Sequence, residues 1–116
     1  MAYKLTVYDY TPNEAELLAM SEATRKHAAR TAKIDSERLS VRVVSTQTAQ
    51  INDNPLYCCQ TATEVKLDGR DLNTRVPEER QIYFSVRNGM CHQEAQIIPD
   101  PSRLRLVQII EGPLVP

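Results

Sequence analysis

Tryptophan is absent from the 116-residue chain, phenylalanine occurs once and glycine three times. A core built with so few large rings must rest on Val, Leu, Ile and Ala. Two of the glycines sit in turn-like dipeptides, Asp68-Gly69 and Asn88-Gly89, which leaves a single glycine, too few for the Gly-rich loop that cradles a nucleotide's phosphates. Neither sign of charge is in excess. Lys and Arg number 14 against 15 Asp and Glu, interleaved along the chain, for a formal net charge of −1. Nucleic-acid binding is driven by phosphate neutralisation and ordinarily leaves a basic stripe, so no nucleic-acid partner is expected. No apolar run approaches the roughly 18 residues that a membrane span needs. The opening MAYKLTVYDY lacks the charged head and apolar middle of a secretion signal. No membrane partner is expected either. Three cysteines, two of them adjacent, make a poor disulfide framework and suit a reducing compartment, with the cytoplasm as the default.

What is present is ordinary for a folded chain: 41% apolar and 25% charged residues, enough for one core. Residues 1–111 read as a single domain and 112–116 as an extended tail. The stretch YKLTVYDY alternates, with Leu5 and Val7 on one side and Lys4 and Thr6 on the other, and predicts an N-terminal strand. Thr11, Pro12, Asn13 and Glu14 then spell a helix start. Thr11 is placed to cap, Glu14 to reach back three residues, and Pro12 to occupy the first helical position. The helix is expected to run to about Lys33. Leu17, Leu18 and Met20 crowd its first turns, followed by Ala23, Ala28, Ala29 and Ala32. The basic residues fall late, as the helix dipole favours, and Glu22 with Lys26 forms an i,i+4 pair. The alanine-rich back half has a shallow face that packs closely on a flat surface or awaits a partner.

From Leu39 onward alternation replaces the helical period. Leu39, Val41 and Val43 share a face, NDNP (52–55) breaks the chain, and LYCCQTATEVKL resumes it. Asp68-Gly69 predicts a two-residue hairpin turn, with Val65 facing Leu72 and Lys66 facing Asp71. Asn88-Gly89 predicts a second hairpin, pairing Val86 with Cys91, Phe84 with Gln93 and Ile82 with Ala95. Its other face then carries Tyr83, His92 and Glu94. PDPS is a turn, and the β-branched residues of RLRLVQII favour a last strand over a short helix. The expected architecture is α+β: one long N-terminal helix packed on a mainly antiparallel β-meander of about five to six strands.

The opening stretch VYDYTPNEAELLAM resembles the first strand and helix of response-regulator receiver domains. Sliding QTATEVKLDGRDL onto the same family places Thr61 at the phosphoacceptor position and Asp68-Gly69 at the turn beyond it. The resemblance implies a parallel α/β domain with acidic residues at the end of its first strand. This chain offers only Asp9 there, and a neutral Thr61 cannot act as an aspartyl nucleophile. One carboxylate is a weak Mg²⁺ site. A receiver-like signalling domain of degenerate, non-phosphorylated type is therefore the form this resemblance takes.

Other chemistry is sparse. Cys58-Cys59 and Cys91-His92 are sequence neighbours, and neighbours on a regular strand point to opposite faces, so neither pair is expected to chelate a metal. One cysteine of each pair is expected to fill the core. A small Cys/His-dependent enzyme would need Cys91 activated by His92 or His27. Glu78-Glu79 reads as a solvated loop. No catalytic, cofactor-binding or metal residues are assigned, and no cofactor is expected. The residues expected to bind a protein are Tyr83, His92 and Glu94 on the second hairpin, with Leu114 and Val115 in the tail. The expected function is a non-catalytic protein-binding or self-assembly module.

Overall fold

A computed structural model of the chain describes residues 2–113. The expected α+β class holds: two helices lie on one side of a five-stranded, wholly antiparallel sheet. In chain order the elements are β1 (Ala2–Asp9), α1 (Glu14–Ala32), β2 (Leu39–Ile51), β3 (Tyr57–Leu67), β4 (Arg70–Asp71), α2 (Pro77–Met90) and β5 (Arg105–Pro113). The strand order is β4-β3-β2-β1-β5. Only β2, β3 and β4 form a meander. α1 returns the chain from β1 to its own antiparallel neighbour, and α2 with the loop after it carries the chain from one edge of the sheet to the other. The extents are 44 × 37 × 19 Å, a slab of one sheet and one helix layer. Among the described residues no helix is long and apolar enough to cross a membrane.

α1 begins two residues later than its sequence suggests. Asn13, not Thr11, is the N-cap: its side chain accepts from the Glu16 N–H at 2.8 Å, and Glu16 Oε1 accepts from the Asn13 N–H at 2.8 Å. That reciprocal pair leaves the first turn no unsatisfied partner at either position. The shift has a tertiary cause, since Glu16 is also held by Tyr10 and Arg103. The helix ends as expected, with Lys33 in the left-handed conformation (φ 59°). Its acid-base pair is Glu22 with Arg25, at 2.8 Å.

The alanine face of α1 packs closely. Ala28 and Ala29 meet Leu39, Val41 and Leu67 from the sheet and Ile82 and Val86 from α2. The other end of the same interface is polar, and there the buried Gln60 Oε1 has no hydrogen-bond partner among the described residues. Ser21 Oγ accepts from the Val43 N–H at 3.2 Å, and buried Gln60 donates from Nε2 to Thr24 Oγ1 at 2.7 Å. Leu39, Val41 and Val43 are all buried on the helix side, as their alternation requires.

The Asp68-Gly69 hairpin forms with the expected register. Lys66 pairs with Asp71, and the two turn residues take φ values of 52° and 81°. Both are positive, which two-residue hairpins of this hand demand. The second expected hairpin does not form. Residues 77–90 are helix, and Asn88-Gly89 lies in its last turn. Glu79, Ile82, Ser85, Val86 and Gly89 are its buried residues, a spacing of three and four. Ile82, Phe84 and Val86 satisfy period two equally well, but Phe84 is 54% exposed. The local signal for the helix lay in Val76-Pro77-Glu78-Glu79: Pro at the first position and acids in the first turn. Glu79 is accordingly not loop. It is buried and accepts from Arg70 at 2.6 Å and from the Asn73 N–H at 3.1 Å.

The last segment is a strand, as its β-branched residues imply. β5 runs to Pro113, so Gly112 and Pro113 pair with Tyr3 and Ala2. Leu114 and Val115 lie outside the described residues. The antiparallel sheet separates this chain from the receiver architecture, and the likeness ends with a strand, a cap and a helix.

Candidate interaction surface

Both helices sit over β2 and β3, which leaves β5 exposed along nearly its whole length, while β1 beside it is mostly part-buried. Across β5, Leu106, Val107, Ile109 and Ile110 are 42–58% exposed. The register assigns most of them to faces, because directly paired residues share one. Leu106 pairs with Tyr8 and Ile109 with Thr6, on the helix side; Ile110 pairs with Leu5, on the open side. The order of residues is interrupted at Val107, an extra residue between the pairs Val7–Gln108 and Tyr8–Leu106. The outer edge of β5 has no strand beside it among the described residues.

The open side continues the apolar surface inward. The row Ile110–Leu5–Ile51 crosses three strands, and the row beside it runs Val7–Ala49–Tyr57. A shallow dent of about 420 Å³ lies on this face, with Tyr3, Ile51, Tyr57 and Cys59 among its walls. Burial pushes the Cys59 thiol up, so it is a poor nucleophile near neutrality. An exposed two-faced apolar edge is the feature soluble sheets ordinarily blunt with Lys, Pro or a covering loop. β5 has no Lys, and its Pro is the last residue, Pro113.

A compact network fixes where this edge begins. Tyr10 is buried and donates to Glu16 Oε2 at 2.5 Å. Arg103 donates to Glu16 Oε1 at 2.9 Å and to the Thr11 carbonyl at 2.7 Å, and lies 4.7 Å over the Tyr10 ring. The Tyr10 hydrogen bond and the Asn13 N–H, followed by Arg103, hold the Glu16 carboxyl below the usual carboxylate range. Burial first, and the Glu16 bond second, push the Tyr10 hydroxyl up. The helix start, the end of β1 and the entry to β5 are thereby tied together. Two positions on, Arg105 meets Asp9 at 3.1 Å, so the only carboxylate at the end of β1 is engaged in the sheet.

The other sequence-predicted residues are dispersed. With α2 helical, the hairpin face that grouped Tyr83, His92 and Glu94 is not formed. Tyr83 lies on the exposed side of α2, edge-on to Phe84 at 5.6 Å with Arg87 5.9 Å over its ring. His92 lies beyond the helix, packed against His27 with ring centroids 4.4 Å apart and the planes tilted by 33°. Glu94 is exposed in the turn that follows, its N–H donating to His92 Nδ1 at 3.3 Å. Cys58 is fully buried, as expected of one cysteine in that pair, whereas Cys91 is exposed. The structure brings the two histidines together, a contact no spacing in the sequence announces. Among the described residues, no group of three His, Cys, Asp or Glu side chains could hold a metal ion. A second cleft, of about 360 Å³ between α2 and β3, has Thr63, Val65, Tyr83, Arg87 and Met90 among its walls.

Sequence reading missed the β1–β5 surface because RLRLVQII mixes polar and apolar residues on both faces. That mixture was itself the signal: a strand with no polar face has no side to offer water.

The fold defines an α+β domain with an open-faced antiparallel sheet. No protein-family model, curated protein or solved structure matches the chain.

Proposed function

We infer that this chain is a non-catalytic protein-binding or self-assembly module that docks through the β1–β5 end of its sheet. The observation that carries the reading is β5 itself, a nine-residue edge strand whose Leu106, Val107, Ile109 and Ile110 are all exposed. Association removes such apolar surface from water at roughly 25 cal/mol per Å², and the free main-chain groups of the edge add directional bonds. The dent beside it and the Ile110–Leu5–Ile51 row extend the same apolar surface. The raised Cys59 thiol agrees with a role that uses no thiol nucleophile at that position. A reducing, cytoplasmic setting without nucleic-acid or membrane partners belongs to the same reading.

The test compares the wild-type chain with Val107→Lys/Ile109→Lys, both checked for folding by circular dichroism. Oligomeric state and proteins retained on an affinity column are measured for each. Loss of self-association, or of specific retention, in the variant is the expected result. An unchanged mass and an unchanged set of retained proteins would refute the reading.

A further inference from the structure

We propose that the occupant of the β5 edge is a second copy of this chain, paired antiparallel strand to strand about a twofold axis at the Val107 bulge. The inference rests on the docking role of β5 and names its partner. Antiparallel edge pairing places the twofold perpendicular to the sheet, so helix-side residues must meet helix-side residues. In an unbroken strand that condition is met by pairs whose positions sum to an even number. The extra residue at Val107 reverses this for every pair that spans it. An axis between Val107 and Gln108 meets this condition for the pairs that span the extra residue, Leu106 with Ile109 and Arg105 with Ile110.

In that register Leu106 pairs with the partner's Ile109, and Ile109 with the partner's Leu106, both on the helix side. The four side chains fill the valley between the two helix layers. The order of charges along the strand is compatible with the same arrangement. The strand and its entry are basic at the start (Arg103, Arg105), uncharged from Leu106 to Ile110, and acidic at Glu111. The twofold sets Glu111, which faces Lys4 within its own chain, opposite the partner's Leu104 and next to the partner's Arg103, whose guanidinium also holds Glu16, and does so at both ends. A parallel alignment would set like charges together instead.

Sedimentation across a dilution series of the full chain tests the proposal. A dimer that dissociates on dilution is expected, with its midpoint shifted at least tenfold to higher concentration by Glu111→Arg. The register is read by disulfide trapping in a Cys59→Ser/Cys91→Ser background. Mixing Leu106→Cys chains with Ile109→Cys chains should cross-link them under mild oxidation. Either chain alone should not, because three residues of offset, about 10 Å, exceed disulfide reach. A monomer at every concentration, a dimer indifferent to Glu111→Arg, or trapping without the 106–109 pair would each overturn the proposal. A monomer that still retains a foreign protein through β5 would retire the second copy alone and leave the docking role standing.

Discussion

Replacing Gly89 by alanine puts two opposing effects at one position. Gly89 is buried in the last turn of α2, where the helix crosses α1. Helix propensity alone favours the change, since Gly is about 1 kcal/mol less favourable than Ala inside a helix. A Cβ built at this position lies 3.2 Å from the Thr24 carbonyl oxygen, 3.3 Å from His27 Cδ2 and 3.4 Å from Thr24 Cγ2. The first of these is backbone in the middle of α1, which cannot rotate away. The helices must separate by a few tenths of an ångström along a contact that also holds Ala28, Ile82 and Val86. Overpacking of this kind costs about 1–3 kcal/mol, so the clash outweighs propensity and Gly89→Ala is expected to destabilise by about 1 kcal/mol. Urea unfolding reads this as a lower midpoint at unchanged slope. Asn88→Ala, at the exposed neighbouring position, controls for propensity and should not destabilise. A Gly89→Ala protein more stable than wild type would show that the α1–α2 contact is looser than its geometry says.

The buried pair Thr24 and Gln60 supplies a second test. Thr24→Val leaves the Gln60 amide only its longer bond to the Met20 carbonyl, 3.3 Å, and should cost about 1 kcal/mol, while Thr24→Val with Gln60→Leu should recover most of that loss; additive costs in a double-mutant cycle would refute the coupling. His27 supplies a pH test. Burial first, then the charges of His92 and Arg30, against an opposing pull from Glu94, hold its pKa below the ordinary 6.5. A folded pKa below the unfolded one means that the unfolded chain binds the extra proton. Stability should therefore fall as pH drops from about 6.5 and level off below the folded value. His27→Leu should remove that slope, as urea midpoints at pH 7.5 and 5.5 would reveal. Glu16, also depressed, acts in a separate window: its contribution is present above the ordinary carboxylate range and lost as pH falls through its lower folded value. Arg103→Ala unties Glu16 and the entry to β5, so amide exchange in β5 should rise while exchange in β3 stays slow; equal acceleration in both strands would show that the network does not act locally.

The amino-acid sequence by itself determined the features whose causes are local. Asp68-Gly69 set its hairpin because both positions accept positive φ, and the alternation of Leu39, Val41 and Val43 set the buried side of β2. The capped start of α1 and its end near Lys33 were legible within a residue or two. Tertiary structure decided the rest. Residues 82–89 suit strand and helix almost equally, and burial of Ile82, Val86 and Gly89 against α1 selected the helix. The cap moved to Asn13 because Glu16 answers to Tyr10 and to Arg103, 87 residues away. The interaction surface was the least legible part, because an exposed apolar strand differs from a buried one only in what covers it. Here α1 and α2 cover β2 and β3, and no residue within β5 encodes that they stop short of it.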